Sequence, residues 1–234
     1  MAAGLSFQRV GNPFFLVLLS LCLGVAGCSQ LHGKPSMRNE PALSLKKIAV
    51  LPMDRASSKP VSERPTCNIS GEHGIIASAY VPPEAAQEVN SILLGMVKDD
   101  ARFVPVSENL CLGFLSSMLE KNPRAGELKL LQGFARDLGV DAVLYGKLYR
   151  FRERVGSEYS VKSPASVAFS MILVRATDGA VLWRYSFDET QQALTENILN
   201  WKFYRKAGMR WVTAEELARY GMEEAMNELR KLLS

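Results

Sequence analysis

The apolar positions of this chain fall into blocks whose period changes along its length. Pro13 to Gly24 is an almost unbroken apolar run, and residues 29–45 then show no apolar period and carry Pro35 and Pro41. Ile48-Ala49-Val50-Leu51 is a short continuous run of the kind expected for a strand buried on both faces. Residues 54–81 are rich in Pro, Ser, Gly and Asn and predict a loop, long for a compact domain and of a length that is often functional. A helix is predicted from Pro82-Pro83-Glu84 to about Asp99, with Val89, Ile92, Leu93 and Met96 as its stripe. Phe103–Val106 follows as a second strand, where Pro105 points to an edge or strand end. Asn109 is expected to cap a helix carrying Leu112, Leu115, Met118 and Leu119. The next helix places Leu128, Leu131, Phe134, Ala135 and Leu138 on one face and stops at Gly139 in the left-handed conformation.

The period then falls to two. Strands are predicted over Ala142–Glu153, through Val167, Phe169, Met171 and Leu173, and through Val181, Trp183, Tyr185 and Phe187, the last alternating with Arg184, Ser186 and Asp188. Asp178-Gly179 is a hairpin turn signal between the last two. A helix is expected to begin near Thr195. Thr213 with Glu216 forms a capping box for a terminal helix lined by Ala218, Met222, Ala225, Leu229 and Leu232. Strand, helix, strand, helices, three-strand meander and helix make an α+β domain over 46–234, with one mixed sheet of about five strands and helices packed on one face.

The amino terminus reads as a signal peptide over 1–27, with Arg9 ahead of the apolar run. That run is short for a bilayer needing about 20 apolar residues. The alternative is an uncleaved anchor. Val25-Ala26-Gly27-Cys28 resembles the lipobox of bacterial lipoproteins. The resemblance implies cleavage before Cys28, a thioether diacylglyceryl group on its sulfur and an amide-linked acyl chain such as palmitate. Several chains anchor stably where one does not. Ser29 in place of an aspartate implies the outer membrane, facing the periplasm, if an enterobacterial sorting rule applies. Residues 28–45 then form a lipidated tether whose coil dimension is roughly 20–25 Å, so any partner lies near that membrane.

Composition narrows the function classes. Charged residues are 22% and the formal charge is only +4, without the basic stripe of a nucleic-acid binder. The two histidines, His32 and His73, leave little for imidazole chemistry. After Cys22 is removed and Cys28 acylated, Cys67 and Cys111 remain. In an oxidising periplasm they pair, closing a loop on the order of 45 residues worth about 4 kcal/mol, or they stay separate with Cys111 buried on its helix. No Cys-x-x-Cys supports a metal, and no cofactor motif is present.

Two segments carry candidate contacts. Trp201, Phe203, Tyr204, Arg205, Arg210 and Trp211 interleave aromatics with cations, a composition suited to protein hot spots or an anionic membrane surface. Helical spacing alone yields the same pattern, with the aromatics packed on the sheet and the cations in water. His73, between Gly71 and Gly74 in the long loop, is a further contact candidate, against the plainer reading of an exposed loop. Asp188 and Glu189 are adjacent in a strand and face opposite ways, so they read as solvated edge charges and not as an acid–base pair.

Lys47-Ile48-Ala49-Val50-Leu51-Pro52, Leu138-Gly139-Val140-Asp141-Ala142-Val143-Leu144-Tyr145-Gly146-Lys147 and Ala176-Thr177-Asp178-Gly179-Ala180-Val181-Leu182-Trp183 resemble stretches of a group of bacterial envelope domains. The group includes the TolB amino-terminal domain, the periplasmic part of CsgG and the activator lipoprotein LpoB. The resemblance covers roughly residues 46–190. It implies a non-enzymatic lipoprotein that binds an envelope protein as an adaptor or assembly factor, and it carries over no catalytic residue. The other expectation is a small-ligand or glycan carrier with aromatics lining a cleft.

Overall fold

The computed structural model describes residues 44–56, 81–192, 208 and 210–234. In chain order the elements are β1 (Ile48–Val50), β2 (Asp54–Arg55), α1 (Pro83–Val97), β3 (Phe103–Pro105), α2 (Glu108–Lys121), α3 (Glu127–Asp137), β4 (Ala142–Arg152), β5 (Val155–Gly156), β6 (Val161–Ser163), β7 (Ser166–Arg175), β8 (Val181–Thr190) and α4 (Ala214–Leu232). The main sheet has the order β3-β1-β4-β7-β8, with β2 also paired to β4. β1 is parallel to β3 and β4, in the register Ile48↔Phe103 and Ile48↔Ala142. β7 is antiparallel to both β4 and β8. The α+β class, the mixed sheet and the order of the main helices and strands are those expected from the apolar pattern.

The helices, however, flank both faces of the sheet. Ile48, Val50, Ala142, Leu144, Phe169, Met171 and Leu173 share one core with α1 and α4. Ala49, Leu51, Val143, Tyr145, Ile172 and Val174 share the other with α2 and α3. The expectation of helices on one face is therefore corrected, and the reason is topological. The chain moves outward from β1 to β3 through α1, then back across β1 to β4 through α2 and α3. Parallel crossovers keep one hand, so reversing direction along the sheet puts the two sets of helices on opposite faces.

Smaller differences follow from packing. Asp54 and Arg55, expected in a loop, pair with Lys147 and Leu148 of β4. The short β5–β6 hairpin was not legible, its exposed Val155 offering no apolar period. Ser107 caps α2 instead of Asn109, accepting from the Leu110 N–H at 3.3 Å. In α3, Leu130 is buried while Leu128 is exposed, and Leu119 of α2 is also exposed. Gly139 and Gly179 take φ of 62° and 73°, as the helix stop and hairpin turn require. Thr213 and Glu216 close the capping box of α4. The helix expected near Thr195 lies outside the described residues.

Just before β1, one Asp141 carboxylate oxygen accepts from the Lys46 and Lys47 N–H groups at 2.7 and 2.9 Å. No helix among the described residues is long and apolar enough to cross a membrane.

Candidate functional site

Alternation along β8 puts Trp183, Tyr185, Phe187 and Glu189 on the face that α4 covers. Spacing by four along α4 brings Tyr220, Glu224 and Glu228 to the same side. Gly221 lets the two elements approach: a Cβ there would lie 2.7 Å from the Phe187 ring. Phe187 is held in turn by Phe169, stacked at 5.3 Å. The carboxylates then tie helix to strand. Trp183 Nε1 donates across to Glu228 Oε1 at 2.9 Å, while within α4 Tyr220 Oη donates to Glu224 Oε1 at 3.0 Å and holds that carboxylate in place. Tyr185 Oη reaches the other Glu224 oxygen at 3.5 Å.

Between helix and strand lies a groove of about 270 Å³, lined by Tyr185, Phe187, Glu189, Gln191, Tyr220 and Glu224 among others. Its electrostatics follow from burial beside carboxylates. Burial, and then the charges of Asp188 and Glu224, raise the Glu189 pKa above the ordinary carboxylate value. Burial and Glu224 push the Tyr220 phenol up to about 12. Burial first, then Glu224 and Glu228, raise Tyr185 further. Both phenols therefore stay protonated at neutral pH and act as donors. The site presents aromatic faces under negative potential, a lining that attracts cationic side chains. Glu189 is thus partly buried, not the solvated edge charge that its sequence setting suggests. A more open depression of about 510 Å³ between α1 and α4 is also acidic, with Glu88, Glu215 and Glu223 around Arg219.

The groove runs along the end of the sheet. Gln191 N–H donates to the Ala165 carbonyl at 3.0 Å, which sets the parity of the β7–β8 ladder. Trp183, Tyr185, Phe187 and Glu189 therefore bond inward to β7. Arg184, Ser186, Asp188 and Thr190 point their N–H and C=O groups outward. Among the described residues no strand pairs with that outer edge. A ten-residue strand whose outer edge no described strand pairs is a ready template for another chain. On the face opposite the groove, Arg184, Ser186 and Asp188 are exposed. Asp188 is bound by Arg150 from β4.

No family model matches this sequence, and no curated protein matches it. Among solved structures, it is similar to the PelC dodecamer subunit from Paraburkholderia phytofirmans, at 15% identity, TM-score 0.42, covering 79% of this chain and 87% of that one. It is also similar to the LpoB C-terminal domain from Salmonella enterica, at 15% identity, TM-score 0.34, covering 64% of this chain and 86% of that one. A third similar structure is the lipoprotein GNA1162 from Neisseria meningitidis, at 14% identity, TM-score 0.33, covering 69% and 97%.

Of the residues singled out from the sequence, Cys28, Cys67, His73, Trp201, Phe203, Tyr204 and Arg205 lie outside the described residues. Cys111 is fully buried and disulfide-bonded. Arg210 and Trp211 are held together just before α4. Arg210 Nη1 donates to Glu216 Oε2 at 3.0 Å and its Nε lies 3.8 Å from Glu158. The Gln191 side chain grips the Arg210 carbonyl and the Val212 N–H, each at 2.8 Å, and Trp211 N–H donates to the Glu158 carbonyl. This guanidinium is thus engaged in the cap of α4. The groove residues were missed because Trp183, Tyr185 and Phe187 read simply as core alternation. The usable signal was the Tyr220–Glu224–Glu228 ladder, whose carboxylates need partners on a facing strand. Among the described residues no group of three or more His, Cys, Asp or Glu could hold a metal.

Proposed function

We propose that this chain is a lipid-anchored, non-enzymatic envelope protein that acts by protein contact, as an adaptor or assembly factor on the periplasmic side of the outer membrane. The anchor is Cys28, acylated after removal of residues 1–27, and residues 28–45 tether the domain close to the lipid. The observation that carries the contact reading is the outer edge of β8, with which no strand pairs among the described residues, running beside a groove of aromatic and carboxylate groups. Main-chain groups on such an edge supply affinity, and the flanking groove supplies selectivity, as in strand addition. At about 270 Å³ the groove falls just below the roughly 300–1,000 Å³ usual for small-molecule pockets. At this groove, that size supports side-chain recognition over binding of a small ligand or glycan.

Two experiments test this. A photo-reactive residue placed at Ser186 in cells should yield a protein adduct, identified by mass spectrometry, that the same residue at Glu120 on α2 does not yield. Equal or no adducts at the two positions would remove the β8 edge as a contact surface. Cys28→Ala should abolish incorporation of labelled palmitate and leave the precursor uncut; normal processing would remove the anchor.

A further inference from the structure

We infer that the β8 edge is self-complementary and that its occupant is a second copy of this chain, joined by antiparallel β8–β8 pairing about a two-fold axis through Ser186. This deepens the contact reading above and rests on it, since it names what fills the same edge. The outward-bonding residues of β8 are Arg184, Ser186, Asp188 and Thr190, by the parity that the Gln191–Ala165 hydrogen bond sets. An antiparallel partner must align outward residues with outward residues. Only a few registers meet that condition. Centring on Ser186 is the one that sets Arg184 against Asp188 of the partner copy, twice over, on the exposed face. Cross-strand pairs of opposite charge stabilise a ladder and like charges destabilise it.

The exposed charges fit this register. Arg184 is exposed and makes no ion pair among the described residues. Asp188 is held from one side by Arg150, yet its side chain remains 47% exposed, leaving carboxylate free for a second cation. On the opposite face the same register brings Tyr185 of each copy to Phe187 of the other, extending the aromatic row of Phe169, Phe187 and Tyr185 across the axis. The helix α4 packs over both β7 and β8, and its Tyr220 and Glu224 flank the edge on the groove side, opposite the Arg184 and Asp188 side chains. The pairing is isologous and closes at two copies, which removes the open edge instead of propagating it.

The register makes a charge-reversal test decisive. Purified full-length chain in detergent micelles should sediment as a dimer. Arg184→Asp faces Asp188 with Asp, and Asp188→Arg faces Arg184 with Arg, so each alone should weaken dimerisation about tenfold or more. Mixing the two single variants, or combining both changes in one chain, restores the opposite-charge pairs and should restore dimerisation. Because Asp188→Arg also repels Arg150, circular dichroism melting of every variant checks that the monomer remains folded. A geometric test needs no charge change. Across a hydrogen-bonded antiparallel pair, Cα atoms lie about 5.5 Å apart, inside the roughly 4.4–6.8 Å of disulfides. Ser186→Cys should therefore form a dimer on oxidation, or with a short bis-maleimide, above the background of the parent chain and of Glu120→Cys.

Single variants that dimerise like the parent, a mixture that fails to recover, or a Ser186→Cys chain no more cross-linked than its controls would overturn the second copy as occupant. The photo-adduct at Ser186 separates this from the broader reading. An adduct to a second copy supports both statements. An adduct only to a different protein overturns self-pairing and keeps the contact surface, and no adduct removes both.

Discussion

The approach of α4 to β8 depends on one hydrogen atom, and replacing it sets two known effects against each other. Gly221 lies inside α4, where Gly→Ala normally gains about 1 kcal/mol of helix propensity. Here the added Cβ would meet Cγ, Cδ1 and Cδ2 of Phe187 at 2.7–2.8 Å. These atoms are near the base of the side chain, not at a free end. The ring is 5% exposed and is held by Phe169 at 5.3 Å and Tyr220 at 6.5 Å. Relief must therefore come from moving the helix or the strand. Overpacking of this kind costs about 1–3 kcal/mol, and the immobile ring places the site in the upper part of that range. After the propensity gain, Gly221→Ala should lose about 1–2 kcal/mol, a fall in melting temperature of roughly 2–8 °C for a domain of this size. Gly95, exposed in α1 with nothing within 4 Å of an added Cβ, is the internal control. Gly95→Ala should gain up to about 1 kcal/mol. Urea denaturation followed by far-ultraviolet circular dichroism measures both, with the denaturant slope checked for constancy. Phe187→Leu combined with Gly221→Ala should cost less than the sum of the two by at least about 0.5 kcal/mol, because they share one contact. A Gly221→Ala chain as stable as the parent, or losses of equal size at both glycines, would refute close packing of α4 on β8, and with it the groove.

Three further outcomes are expected. The folded state holds the Glu189 proton more tightly than the unfolded chain does, because burial and then Asp188 and Glu224 raise its pKa. The cost of ionising it is therefore absent below the ordinary value of about 4.3 and appears as pH rises through the folded pKa. Glu189→Gln should accordingly raise the urea midpoint at pH 7, an advantage that fades below about pH 4; an advantage independent of pH would point to a cause other than charge. Thr213→Ala removes half of the capping box of α4 and should cost about 1 kcal/mol in the same denaturation assay. Trp183→Phe keeps most of the apolar burial but loses the hydrogen bond to Glu228, with an expected loss of about 1 kcal/mol in the same denaturation assay.

The readable parts of this protein are those where local chemistry settles the outcome. The capping box at Thr213 and Glu216, the turn at Asp178-Gly179 and the stop at Gly139 each depend on a few neighbouring residues, and each stands in the structure. The two-residue period of β7 and β8 was equally plain. Helix faces were read less well. Leu128 was placed in the core and Leu130 was not, because in a short helix an apolar stripe can be drawn in more than one way and only the facing sheet chooses.

What the sequence determined alone was the order and type of the main helices and long strands, though not of the short β2, β5 and β6, together with the lipobox-like Val25-Ala26-Gly27-Cys28, since these rest on contiguous residues. The tertiary structure decided which face each helix covers. The unbroken Ile48-Ala49-Val50-Leu51 run already required cover on both sides of β1, but the reversal at β3 that supplies it is a property of strand order, which no local window contains. It also decided which strand ends the sheet. β8 looks like any half-buried strand in sequence. Its place at the edge, the parity of its outward groups and the meeting of Tyr185 and Glu189 with Tyr220 and Glu224 arise only when residues 31 to 39 positions apart are packed together.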